Sequence, residues 1–196
     1  ANMLLGNSYS EAIINFVYFA INFVAVLLIF HKFLWKNLRV FLDKPLFHLR
    51  WAGLGLLMYF AGNILFSVVI TLVNPDFANI NDMAILEMVQ EHFGLMLIGT
   101  VLLVPVVEET FYRAMIFRML FDKHPIAAYG LSMVIFSCIH IAGYIGSVDW
   151  LTMVLCFIQY IPAGFALAWT YQRSGSIFAS VLIHTCVNLV GMLLMR

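Results

Sequence analysis

Ile98-Gly99-Thr100-Val101-Leu102-Leu103-Val104-Pro105-Val106-Val107-Glu108-Glu109-Thr110-Phe111-Tyr112-Arg113 decides how this chain is read. Its first ten residues suit hydrocarbon, and the six that follow hold two adjacent acids and a guanidinium. One acid at the centre of a membrane helix costs about 2.5 to 3.5 kcal/mol even on lenient scales. Such a cluster survives only if it is paired, wet or working. The surroundings make the cost real. Of 196 residues, 64% are hydrophobic and 10% charged, with a mean hydropathy of +0.99. A soluble domain carries about 25% charged residues, so the composition predicts an integral membrane protein. Formal charge is zero, which removes any bulk electrostatic case for a nucleic-acid partner.

Apolar windows long enough to cross a bilayer, about 20 residues each, fall at 11–31, 51–74, 92–118, 125–146, 150–172 and 176–195. The third carries the charged run and is expected to bend where Pro105 removes a backbone donor. Residues 32–50 interleave Lys32, Lys36, Arg39, Lys44 and Arg50 with Phe33, Leu34, Trp35, Leu38, Val40 and Phe41, which predicts an amphipathic helix lying in the interface. The fold class is therefore an all-α membrane protein: about six transmembrane helices plus one interfacial helix. A single domain over 1–196 accounts for every segment, and its motif-bearing part covers about 92–195.

The basic residues sit in 32–50, in 118–124 (Arg118, Lys123) and at Arg173, whereas 75–91 and 147–149 have none. By the positive-inside rule the basic side is cytoplasmic. Both termini then lie outside, with Arg196 as the mild exception. The three cysteines, Cys138, Cys156 and Cys186, lie in apolar runs without framework spacing, so structural disulfides are not expected. The first apolar stretch lacks a basic flank, so a cleavable signal peptide is not expected either.

The candidate chemistry sits in three spans. Glu109 and Arg113 are four apart and share a helix face, in the favourable order for an ion pair. Arg113 can then neutralise Glu109, leaving Glu108 as the free carboxylate and candidate general base. His140 closes Phe136-Ser137-Cys138-Ile139-His140, with Gly143 and Gly146 after it as sites of close backbone approach. His184 and Asn188 lie one turn apart on one face of the last span. Rise per residue puts Glu108 about 20 Å, His140 about 22 Å and the His184–Asn188 pair about 12 to 18 Å from the cytoplasmic end. Three polar groups on three helices thus share a depth.

One carboxylate and two imidazoles admit two mechanisms. Glu108, His140 and His184 could hold a zinc ion with a fourth position for water, Asn188 giving outer support. Alternatively, Glu108 and His140 activate water without a metal while His184 and Asn188 hold the oxyanion. No His-Glu-x-x-His or Gly-x-Ser-x-Gly run is present. Cys138 and Cys186 each lie two residues from a histidine and point away from it within one helix. His31, His48 and His124 fall at basic boundaries and His92 at the opposite one, which predicts interfacial positions.

The order Glu108-Glu109-x-x-x-Arg113, then Phe136-x-x-x-His140, then His184-x-x-x-Asn188 resembles the CPBP family, the CAAX-protease and bacteriocin-processing (Abi) intramembrane proteases. Gly164 to Tyr171 and Ser174-Gly175-Ser176-Ile177 are similar to that family's connecting segment, so the resemblance covers about 95–190. It implies an intramembrane endopeptidase acting on a peptide or protein at the bilayer. Glu108 would activate water with His140, His184 and Asn188 would stabilise the oxyanion, and Glu109 and Arg113 would support. Two other functions fit the same residues. One is a non-catalytic immunity or partner-binding membrane protein that keeps the motif as structure. The other is a small transporter or proton relay, against which stands the lack of an inverted repeat.

Overall fold

Two prolines set helix boundaries through the residue in front of them. A residue preceding proline is pushed out of the α region. Lys44 (φ −139°) before Pro45 and His124 (φ −139°) before Pro125 both take that non-helical backbone. The computed structural model describes residues 10–196, and the first nine residues of the domain lie outside the described residues. Among the described residues the chain is helical without strands: α1 (Glu11–Asp43), α2 (Pro45–Val73), α3 (Ile80–Phe121), α4 (Pro125–Ala142), α5 (Trp150–Ser174) and α6 (Ile177–Leu194). All six are long and apolar enough to cross a membrane.

The separate interfacial helix expected over 32–50 does not form. α1 continues unbroken to Asp43 and α2 begins at Pro45, because nothing before Pro45 stops a helix. At 33 residues α1 is about 50 Å long against about 30 Å of hydrocarbon. Its basic end therefore extends beyond what a bilayer covers. His48, expected at a boundary, is buried: its Nε2 lies 2.9 Å from the Val40 carbonyl and its ring stacks on Phe41. The third helix also starts earlier than 92. Asn79 caps it by accepting from the backbone N–H of Asn81 at 2.9 Å and of Asp82 at 3.3 Å, so most of the expected 75–91 connection is helix. The break within it falls at His92 (φ −146°, ψ 70°).

α5 is the central element. Half of its most apolar stretch is buried, against none of the corresponding stretch of α1, which lies at the rim. α2 and α4 pack most extensively against α5, and α6 touches α2, α3 and α5. The α2–α5 seam depends on glycine. A Cβ on Gly55 would collide with the Thr170 hydroxyl, and one on Gly62, two turns on, would sit 2.8 Å from Pro162 Cβ. Absent side chains let the backbones close up. Gly143 and Gly146, expected to serve such an approach, face open space. Gly146 instead supplies a positive φ of 85° in the turn after α4. All three cysteines are unpaired.

Gly55→Val overpacks this seam and is expected to cost about 1 to 3 kcal/mol. Thermal unfolding in detergent measures it, with Gly53→Val, which meets nothing within 4 Å, as the control that leaves the midpoint near wild type.

Candidate active site

The acidic pair sits where α3 changes its winding. Ile98–Leu103 and Thr110–Phe117 are π-helical, and Val104–Glu109 between them is α-helical. A π turn holds its bonds at i→i+5 and is frequent at functional sites. Glu108 and Glu109 are thus the last two residues before the second change of pitch.

Glu109 and Arg113 are fully buried, their side chains 0% exposed, with Arg113 Nε 3.2 Å from Glu109 Oε2. Neither atom makes an aligned hydrogen bond, so the contact is a charge pair. The guanidinium also donates to the Gly164 carbonyl at 3.4 Å and lies 5.0 Å above Phe136 and 5.6 Å from the centre of the Tyr112 ring. Those ring faces compensate in part for lost water. The ion pair expected from the four-residue spacing is present.

α6 brings His184 between the two acids. Its Nδ1 lies 2.9 Å from Glu109 Oε1, and its Nε2 lies 3.9 Å from Glu108 Oε2. A carboxylate only accepts, so Nδ1 carries the proton. Glu109 therefore holds Arg113 with one oxygen and orients the imidazole with the other. Glu108 differs from its neighbour in two ways: its side chain is 21% exposed, and its Oε2 has no hydrogen-bond partner.

His140 is placed elsewhere. Its Nδ1 donates to the Phe136 carbonyl at 2.7 Å, and its ring stacks on Tyr160 at 4.4 Å. No hydrogen bond or ion pair joins it to Glu108 among the described residues. Phe136 touches both imidazoles, with ring centroids 4.5 Å from His140 and 6.1 Å from His184. Asn188 donates through Nδ2 to the Thr100 carbonyl at 2.8 Å. The structure thus unites Glu108, Glu109, Arg113 and His184, turns His140 to Phe136 and Tyr160, and ties Asn188 to the backbone of α3.

A polar cluster next to His140 escaped the sequence reading. Tyr160 Oη accepts from Asn81 Nδ2 at 2.9 Å and lies 3.4 Å from Asp82 Oδ1, and Asn79 Nδ2 donates to Gln159 Oε1 at 2.7 Å. Its signal in the sequence is Asn79-Ile80-Asn81-Asp82, within the stretch 75–91 that holds no basic residue. Its counterpart, Gln159-Tyr160, lies within an apolar span.

Among the described residues, no three His, Cys, Asp or Glu side chains converge closely enough to hold a metal ion. Glu108 and His184 approach each other, but His140 is turned to Phe136 and Tyr160.

Residues 90–190 match the family described as Type II CAAX prenyl endopeptidase Rce1-like. No curated protein and no solved structure matches the chain.

Arg113→Met leaves the Glu109 carboxylate buried without its cation, which is expected to cost about 3 to 5 kcal/mol. Combining it with Glu109→Gln should restore most of that loss. Unfolding of both variants in detergent checks the pair.

Proposed function

The chain belongs to the Rce1-like family of type II CAAX prenyl endopeptidases, which are CAAX-type intramembrane proteases, and on that premise we propose that Glu108 is the general base of a peptide-bond hydrolysis. The observation that carries this reading is the contrast between the two adjacent acids. Glu109 is sealed against Arg113 and His184, whereas Glu108 keeps an unpartnered oxygen and partial access.

The steps follow from these positions. Glu108 takes a proton from water, and the hydroxide attacks the carbonyl carbon of the scissile bond. Charge then develops on the carbonyl oxygen. His184, held through Nδ1 by Glu109, places Nε2 beside Glu108, where in its doubly protonated form it can donate to that oxyanion. The tetrahedral intermediate collapses as the protonated Glu108 delivers its proton to the departing amide nitrogen. No group is consumed, and both carboxylates return to their starting state. Arg113 holds one oxygen of Glu109 and so keeps the other aimed at the imidazole. This is the logic by which an acid fixes a histidine in hydrolytic triads.

His140 is the second base in this proposal. With Nδ1–H given to the Phe136 carbonyl, its Nε2 carries the free lone pair. Catalytic hydrogen bonds that are long in an unliganded site commonly tighten once substrate is bound. The substrate is a peptide or protein held at the membrane. The basic ends of α1, α3 and α5 face the cytoplasm in this proposal, with both termini outside.

Cleavage of a quenched-fluorophore peptide ending in a farnesylated CAAX sequence, alongside the same peptide without the prenyl group, tests the mechanism in lipid nanodiscs. Glu108→Gln should lower kcat by at least about 10²-fold while the thermal midpoint stays near wild type. Wild-type turnover by that variant would sink the assignment, and the ratio of the two peptides reads the prenyl preference.

A further inference from the structure

Proline at position 105 leaves a carbonyl without its donor, and the structure shows what fills the gap. In the π-helical stretch Ile98–Leu103 the bond leaving the segment runs from Val104 N–H to the Gly99 carbonyl, five residues back. One step further, residue 105 would give its N–H to the Thr100 carbonyl. Pro105 has no N–H. In the bilayer interior an unsatisfied backbone group is costly, and neighbouring side chains commonly take over at such prolines. Here the Nδ2 of Asn188, from α6, lies 2.8 Å from Thr100 O.

We infer that Asn188 is a positioning residue that replaces the missing Pro105 amide. One of the two N–H groups on its amide nitrogen is committed to a main-chain oxygen eight residues before Glu108, about 12 Å along the helix axis. One turn earlier on α6, His184 is bonded to Glu109. α6 therefore grips α3 at two points, one above the acids and one on them. Two attachments on one rigid helix fix both the sliding and the rotation of α3 against α6. That fixes where Glu108 stands relative to His184 Nε2, at 3.9 Å. Pro105, Thr100 and Asn188 form one unit: the proline opens the carbonyl, and the asparagine closes it from another helix.

The inference rests on the peptidase reading only for its kinetic arm. The experiment is a four-protein cycle: wild type, Asn188→Ala, Pro105→Ala and Pro105→Ala/Asn188→Ala, purified in detergent. Thermal unfolding followed by helical circular dichroism is read first and needs no activity. Asn188→Ala should lower the midpoint by about 2 to 4 °C. The same change in the Pro105→Ala background should lower it by less than half as much, because an alanine N–H now serves Thr100. Cleavage of the farnesylated CAAX peptide is read second. Asn188→Ala should lower kcat more than it raises KM, and by a larger factor in the wild-type than in the Pro105→Ala background.

Asn188→Asp supplies an independent arm should Pro105→Ala fail to accumulate. It is isosteric but presents an oxygen to an oxygen, so its midpoint should fall at least as far as that of Asn188→Ala. An unchanged midpoint in both Asn188 variants overturns the inference. So does an equal loss of kcat in both Pro105 backgrounds, the signature of a direct donor to the oxyanion. Absence of any peptide cleavage by wild type would instead defeat the peptidase reading and leave the unfolding cycle to decide this point.

Discussion

A guanidinium with no exposed surface, paired with a carboxylate that has none either, is the constraint around which this bundle is organised. Removing two charges from water costs several kcal/mol per ion, and their attraction offsets that only when geometry and further contacts are good. Every neighbour of the pair answers that demand. Gly164 offers its carbonyl to Arg113, Phe136 and Tyr112 offer ring faces, and His184 takes the remaining Glu109 oxygen. Those partners come from α3 itself, α4, α5 and α6. The pair thus draws four of the six helices into one arrangement. Only then does the adjacent residue, Glu108, become special, since it shares the neighbourhood without being consumed by it.

The same site shows how a local defect is turned into orientation. α3 is wound loosely on either side of a six-residue α-helical stretch, Val104–Glu109. Winding that departs from α leaves backbone groups to be satisfied from outside, and a membrane interior offers only other helices for the purpose. His184 and Asn188 lie a turn apart on α6 and meet α3 at a side chain and at a carbonyl respectively. The last helix acts as a template for the third.

Much of this was legible in the residues, for identifiable reasons. Six apolar windows gave six spans because hydrocarbon thickness leaves little choice of length. Glu109 and Arg113 announced their pairing through a spacing of four. The family resemblance from three ordered motifs agrees with the match over 90–190. Other features were hidden because they depend on distant partners. Basic residues interleaved with apolar ones over 32–50 imitate an interfacial helix, yet only Pro45 interrupts the chain there. Changes of helical pitch have no pattern of their own, since they are stabilised by contacts from α6, some 75 to 88 residues away. The seating of His184 between both acids required the rotation of α6, which no window of sequence contains. His140, expected at the depth of Glu108, is turned to Phe136 and Tyr160. Depth follows from counting residues, whereas lateral separation follows from packing.

Phe136 stands at the centre of that packing. Its ring lies against His140, His184, Tyr112, Tyr160 and the guanidinium of Arg113. One aromatic side chain thus braces both imidazoles and the buried cation at once, so truncating it would loosen three polar groups that belong to three different helices.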